Sequence, residues 1–101
     1  MSAYQAPLRD MLFTLQHIAG LDAICAQPGF EDTSPDLVEA ILEEASRFAT
    51  GVLDPINWSG DQQGARWDQG IVHSADGFKE AYAQFCETGW NSMPASPEFG
   101  G

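Results

Sequence analysis

The sequence predicts a mainly α-helical fold with two to three helices and one small β-hairpin. Apolar residues recur at three- and four-residue steps along two clear segments and one weaker one, and a glycine-containing turn separates two short β-prone runs. Neither an internal repeat nor a linker divides the 101 residues. The chain therefore forms one small domain or a portion of a larger one.

The first predicted helix lies near the N-terminus and covers residues 7 to 19. Apolar residues repeat there with helical spacing after a proline, at Leu8, Met11, Leu12, Leu15, Ile18 and Ala19. A short additional turn is expected over residues 21–26, before Pro28 and Gly29 interrupt it.

The clearest helix begins after Ser34. The Ser34 hydroxyl can accept a hydrogen bond from a free N–H group of the first turn, Pro35 suits the first helical position, and Asp36 complements the positive end of the helix dipole. An apolar stripe follows, formed by Leu37, Val38, Ile41, Leu42, Ala45, Phe48, Ala49 and Val52. Local rules end this helix near Gly51 or just before Pro55. The stripe continues beyond that proline, however, so a kinked helix that passes it is the alternative.

The second half of the chain contains the hairpin and the other clear helix. Gly70 supplies the positive φ of a short turn between residues 65–67 and 71–73. A helix starts near residue 76 or 77 and stops at Gly89, with one apolar face made by Phe78, Ala81, Tyr82 and Phe85. The tail, residues 91–101, is rich in proline and glycine and is expected to be irregular.

Charge excludes several functional classes. Fifteen acidic residues oppose Arg9, Arg47, Arg66 and Lys79, which gives a formal net charge of −11. So few scattered bases cannot replace the counterions of a nucleic acid or hold an anionic membrane surface or a phosphate-rich ligand. No apolar run approaches the roughly 20 residues of a membrane span, and the first residues lack the layout of a secretion signal. We expect a soluble, cytoplasmic protein.

The residues alone indicate no active site. The four possible soft metal ligands, His17, Cys25, His73 and Cys86, have spacings unlike any zinc pattern, and the cysteines are expected to be reduced thiols. No nucleophile elbow and no glycine-rich phosphate loop occurs in the sequence. A small metal-binding protein is therefore the weakest of the functional hypotheses.

A series of motifs runs in order along nearly the whole chain. These are YQAPLRDM (4–11), PGF (28–30), LEEASRFA (42–49), GVLDP (51–55), Asn57 with SGD (59–61), GFKEAYAQF (77–85), GW (89–90) and PEFGG (97–101). Together they resemble the N-terminal portion of an acyl-CoA dehydrogenase, closest to the bacterial methylthiopropanoyl-CoA dehydrogenase-like subgroup.

The resemblance implies a fold and a function. Residues 1–101 would be a partial N-terminal helical domain of an enzyme that also has a middle β domain and a C-terminal helical bundle. Such enzymes desaturate an acyl-CoA thioester between its α and β carbons: a glutamate removes the α proton, FAD takes the β hydride, and an electron-transferring flavoprotein receives the electrons. In this family the flavin and the catalytic base belong to later parts, so this chain is expected to bind no cofactor and to be an inactive fragment when alone.

The resemblance also provides the site candidates. The loop at residues 97–101 runs near the acyl pocket in this family, so Phe99 and Gly100 are predicted to be substrate-binding residues of the pocket wall. The alternative is that they form only the turn before the next helix.

Unpartnered helix faces lead to a second hypothesis, a self-standing helical dimerisation or interaction module without catalysis. Several apolar side chains need cover that so short a chain does not provide, namely Val38, Ile41, Leu42, Phe48, Phe78, Tyr82 and Phe85. We expect the rest of a dehydrogenase chain to be the natural partner of these faces, and the isolated fragment to self-associate.

Overall fold

The computed structural model describes residues 3–101, which divide into two compact units. One unit ends at Gly51 and the other spans Val52–Gly101. Both are helical, and the second also contains a two-stranded antiparallel hairpin. The predicted mainly α-helical class is confirmed.

The N-terminal helix is confirmed, with a change of helical type along it. Helix α1 (Leu8–Phe13) continues directly into a π-helical turn, Thr14–Ile18, in which the Ala19 N–H donates to the Thr14 carbonyl over 2.9 Å. Gly20 then adopts a left-handed conformation, φ 72°, and α2 (Leu21–Cys25) follows as the expected short turn.

Helix α3 (Pro35–Phe48) begins as the sequence predicts. Ser34 is extended, and its hydroxyl oxygen accepts a hydrogen bond of 3.1 Å from the Leu37 N–H. One orphan donor of the first turn is thereby satisfied. In the last turn Arg47 pairs with Glu43 at 3.7 Å and also with Glu44.

Helical residues continue without interruption past Pro55. A π-helical turn, Ala49–Leu53, follows α3, and α4 (Asp54–Gln63) follows the turn. The local stops at Gly51 and Pro55 were therefore wrong, and the alternative that passes the proline is confirmed. The wider π turn shifts the hydrogen-bond register just before α4, so Pro55 lies in the first turn of that helix. In a first turn the N–H that proline lacks would have no partner within the helix, and the residue is therefore tolerated.

The hairpin is confirmed in the second unit. Strand β1 (Arg66–Asp68) pairs with β2 (Ile71–His73), so Asp68 belongs to the strand rather than to the turn. The two turn residues, Gln69 and Gly70, have φ of 48° and 83°. Two successive positive φ values are typical of the type I′ turn, whose backbone twist matches the twist of the two strands that it joins.

Helix α5 (Phe78–Glu87) lies where the apolar spacing places it. Gly77 and Gly89 bound it, with φ of 84° and 85°. The tail is more regular than expected, since it contains two single 3₁₀ turns, Trp90–Ser92 and Pro97–Phe99.

The core is very small. Within the described residues, the buried apolar side chains are Leu21, Ala75 and Ala81. Most of the large apolar side chains of α3 are half-buried, and those of α5 are half-buried or exposed. Within residues 3–101, no helix combines the length and apolar character that crossing a bilayer requires.

Candidate functional site

An apolar groove in the unit Val52–Gly101 lies between α5 and the segment formed by the last residue of the π turn and the first part of α4. Its volume is about 290 Å³. The lining is hydrocarbon except for one amide and one phenol, and consists of Leu53, Ile56, Asn57, Phe78, Ala81, Tyr82 and Phe85. We call this feature the α4–α5 groove. The pocket at the base of the hairpin, by contrast, is lined mainly by polar side chains.

Two glycines allow α4 and the start of α5 to approach closely. Gly60 is buried, and a Cβ at this position would overlap the ring of Phe78. A Cβ at Gly77 would lie 2.9 Å from Cγ2 of Ile56. Because neither glycine has a side chain, Ile56 and Phe78 can form one continuous wall of the groove.

A hydrogen bond fixes the entry to α5. The Asp76 N–H donates to Oε1 of Gln63 over 2.9 Å, which joins the last residue of α4 to the loop before α5. The groove is therefore built on two helices whose approach is set by small residues and by one long-range hydrogen bond.

The groove is open rather than part of a closed core. Tyr82 is 65% exposed, Leu53 is 44% exposed and Phe78 is 41% exposed. Burying such side chains contributes about 1.5–3 kcal/mol each. These three neighbouring side chains are therefore accessible to another apolar surface.

Tyr82 also interacts with a cysteine one turn later on α5. A hydrogen bond with the Cys86 side chain, followed by the negative charge of its thiolate, raises the pKa of Tyr82 above its ordinary value. The Tyr82 and Phe85 rings stack with their centroids 6.3 Å apart. The phenol therefore remains neutral to higher pH than usual, which suits an apolar surface.

A smaller polar pocket of about 210 Å³ lies at the base of the hairpin. Its lining includes Arg66 and His73, which are opposite each other on β1 and β2, together with Asp76. A flavin dinucleotide needs several donors around its two phosphates. A pocket this small that also contains a carboxylate does not fit that group, so we derive no step through FAD on this chain.

The predicted pocket-wall residues lie on an exposed turn. Phe99 is 79% exposed, and Gly100 follows it with φ 88°. The turn is held by the Phe99 N–H, which donates to the Ser96 carbonyl over 2.9 Å, and by the Gly100 N–H, which donates to the Pro97 carbonyl over 3.1 Å. Neither residue lines the α4–α5 groove. Their role in an acyl pocket stays a prediction.

The four possible soft metal ligands are divided between the two units. His17 and Cys25 belong to the first unit, whereas His73 and Cys86 belong to the second. Among residues 3–101, no group of three or more potential metal ligands is close enough to hold an ion.

Sequence reasoning found the α5 side of the groove and missed the α4 side. The spacing of Phe78, Tyr82 and Phe85 identified a face that needs cover. The partnership with Leu53 and Ile56 depends on a helix that continues past Pro55, which the residues alone left open and the family resemblance favoured. The available signal was the apolar stripe itself, which continues beyond that proline.

Comparison with known proteins confirms the resemblance to acyl-CoA dehydrogenases. The chain is 37% identical over 98 residues to the 3-methylmercaptopropionyl-CoA dehydrogenase of Ruegeria pomeroyi, a match that covers 97% of this chain and 17% of that protein. It is 29% identical over 104 residues to the broad-specificity linear acyl-CoA dehydrogenase FadE5 of Mycobacterium tuberculosis, covering 100% of this chain and 17% of that protein. No protein-family model matches.

The chain therefore spans about a sixth of the length of the curated relatives it matches. This agrees with the predicted N-terminal acyl-CoA dehydrogenase fragment and does not favour the self-standing interaction module.

Proposed function

We propose that this chain is a partial N-terminal helical domain of a longer FAD-dependent acyl-CoA dehydrogenase. In this proposal it supplies packing surface to the parent enzyme and is inactive alone. The observation that carries the proposal is a 37% identity that covers 97% of this chain but 17% of a much longer dehydrogenase. The open α4–α5 groove supports it, because a packing domain needs an apolar face for the remainder of its enzyme.

The parent would desaturate an acyl-CoA thioester between its α and β carbons. FAD, bound by other parts of the parent, supplies the hydride acceptor of that reaction. The same proposal includes electron-transferring flavoprotein as the acceptor of the electrons and a cytoplasmic location for the parent. On this chain, Phe99 and Gly100 are proposed as pocket wall, where an exposed aromatic ring on a short turn can contact a substrate that the parent brings to it.

A segment exchange tests the proposed function. This chain replaces the matching segment of the Ruegeria pomeroyi relative, and the purified chimera is assayed for flavin absorbance and for oxidation of 3-methylmercaptopropionyl-CoA. The matched control carries a segment of the same composition in shuffled order. We expect the chimera to retain flavin and activity and the shuffled control to lose both.

The isolated chain is assayed in parallel. We expect colourless protein that oxidises no acyl-CoA. Bound flavin or dehydrogenase activity in the isolated chain would contradict the proposed inactivity. A chimera as inactive as the shuffled control would contradict the proposed parentage.

A further inference from the structure

We propose that the polar pocket at the base of the hairpin binds a hydrogen phosphate ion. We call this pocket the hairpin pocket; it has a volume of about 210 Å³ and is lined by Gln63, Gly64, Arg66, His73, Ser74 and Asp76. The inference does not depend on the proposed function, because the hairpin pocket shares no lining residue with the α4–α5 groove.

The hairpin brings hydrogen-bond donors together in this pocket. Arg66 on β1 and His73 on β2 are direct cross-strand partners, so their side chains lie on the same face of the hairpin. Both residues line the pocket, and so does Ser74, which follows His73. The guanidinium, the imidazole and the hydroxyl each supply at least one donor. Of these, the guanidinium suits a phosphate best, because its planar fork can donate two parallel hydrogen bonds to the phosphate oxygens.

The charged groups of the pocket do not neutralise each other. Asp76 lines the pocket together with Arg66, yet within residues 3–101 the ion pairs are those that Arg47 makes on α3. In the same part of the chain, no hydrogen bond engages the side chains of His73 and Ser74. The donors and the carboxylate therefore share one small pocket while their hydrogen-bonding capacity remains available to a ligand.

A hydrogen bond holds the pocket wall in place before a ligand binds. The Asp76 N–H donates to Oε1 of Gln63 over 2.9 Å, which ties the loop before α5 to the end of α4. This bond uses the oxygen of the Gln63 amide and leaves its NH₂ group as a further donor. A wall that is already fixed reduces the entropy lost when a ligand is bound.

The combination of several donors with one carboxylate selects the ligand. A carboxylate repels an anion that can only accept hydrogen bonds, but it accepts a hydrogen bond from an anion that keeps a proton. Hydrogen phosphate has both properties, because its unprotonated oxygens accept and its P–O–H group donates. Sulfate has the same tetrahedral shape but no proton to donate at neutral pH. Donors such as Arg66 and the acceptor Asp76 therefore match hydrogen phosphate better than sulfate.

The surrounding charges set the strength of this binding. Lys79 lines an adjoining pocket that shares His73, Ser74 and Asp76 with the hairpin pocket, so both bases of the second unit lie at or beside the site. Glu80 also lines the adjoining pocket, and the chain as a whole has a formal net charge of −11. Because this background repels anions, we expect weak binding with a Kd of about 1–10 mM.

An NMR titration of the 101-residue chain tests this inference. Amide ¹H–¹⁵N spectra are recorded while sodium phosphate, sodium sulfate or sodium chloride is added to the same ionic strength at neutral pH. We expect phosphate to shift the amide signals of Gly64, Ser74 and Asp76 with a Kd of about 1–10 mM. Sulfate should bind about tenfold more weakly, and chloride should leave these signals in place.

Variants identify the groups that hold the ion. Arg66→Gln should weaken phosphate binding about tenfold, because it removes the charge-assisted hydrogen bonds of the guanidinium. Asp76→Asn should abolish the preference for phosphate over sulfate, because an amide can donate to a sulfate oxygen that the carboxylate repels. The matched controls are Arg9→Gln on α1 and Asp68→Asn on β1, which lie outside the pocket and should leave both affinities unchanged. Circular dichroism verifies that each variant keeps its helix content.

Several results would overturn the inference. Equal affinity for phosphate and sulfate would show that the carboxylate does not select a protonated anion. Shifts that chloride reproduces would show that the ions act only through ionic strength. Unweakened binding in Arg66→Gln, or an unchanged preference in Asp76→Asn, would contradict the assigned contacts. Tighter binding of methyl phosphate than of phosphate, measured in the same way, would refute the assignment to the free ion and indicate an esterified phosphate.

Discussion

Gly60 is the residue on which the approach of α4 and α5 depends most directly. Replacing it with alanine places a methyl group where the Phe78 ring lies, so the ring must rotate away from the groove wall. Overpacking of this kind costs about 1–3 kcal/mol, partly offset by the better helix propensity of alanine. We expect Gly60→Ala to lower the free energy of unfolding by about 1–2 kcal/mol in urea titration.

Gly51 offers a matched control for this substitution. It also lies within a helical segment, in the π turn, but open space surrounds the position of its Cβ. Gly51→Ala should therefore be neutral or stabilising by up to about 1 kcal/mol. Equal effects of the two alanines would mean that Phe78 does not pack against Gly60.

Tyr82 and Cys86 give a prediction on pH. The hydrogen bond with Cys86, and then its thiolate charge, raise the pKa of Tyr82, so Cys86→Ala should return that pKa toward its ordinary value of about 10. Because the pKa of Tyr82 is higher in the folded than in the unfolded chain, the interaction stabilises the folded state fully at pH values below the unfolded-state pKa. This stabilisation is lost as the pH rises through the folded-state pKa of Tyr82. NMR titration of the Tyr82 ring measures the shift. The control is Cys25→Ala in the first unit, which should leave the Tyr82 titration unchanged. An unchanged Tyr82 titration in Cys86→Ala would contradict the assigned interaction between Tyr82 and Cys86.

At the scale of elements, local chemistry predicted the beginnings of helices and the turn. Ser34 caps α3 as its side chain and position indicate, and Gly70 lies in the hairpin turn. The π turn at Ala49–Leu53 was not predictable in this way, because a single extra residue in one helical turn leaves no distinct pattern of side chains. Its consequence is a helix that passes Pro55, because the π turn places the proline in the first turn of α4, where its missing N–H is tolerated.

The hairpin turn can be improved by one substitution. Gln69 has φ 48°, a conformation that most residues adopt with strain and that asparagine tolerates. Gln69→Asn should stabilise the hairpin by a few tenths to about 1 kcal/mol, seen as stronger cross-strand contacts between Trp67 and Val72 in NMR spectra. Gln62→Asn on α4 is the control. Weaker cross-strand contacts in Gln69→Asn would contradict the turn type.

At the scale of the whole molecule, the described chain buries little of its apolar surface. Ile18 is 74% exposed in the first unit, and Tyr82 is similarly exposed in the second. The sequence revealed that the helix faces need cover, because their periodicity is local information. The groove was not predictable, because it depends on which helix meets which, and that is decided by close contacts such as Phe78 against Gly60.

Exposed apolar surface and high net charge act in opposite directions on self-association. Contacts between apolar side chains favour it, and a charge of −11 on each copy opposes it. We therefore expect the isolated chain to be mostly monomeric at about 20 mM salt and to self-associate at about 500 mM, where the Debye length falls below about 5 Å. Sedimentation velocity at both salt concentrations measures this. Association that weakens as salt is added would mean that charge pairs, not apolar contacts, join the copies.

In the proposed function, the α4–α5 groove is an internal packing surface of a larger enzyme. Hydrogen–deuterium exchange of α4 and α5 distinguishes a covered groove from an open one when it is compared between the isolated chain and the chimera with the Ruegeria pomeroyi relative. We expect fast exchange in the isolated chain and protection increased at least about tenfold in the chimera, because covering the groove stabilises both helices. Equal protection in the two proteins would show that the groove stays uncovered and would contradict the claim.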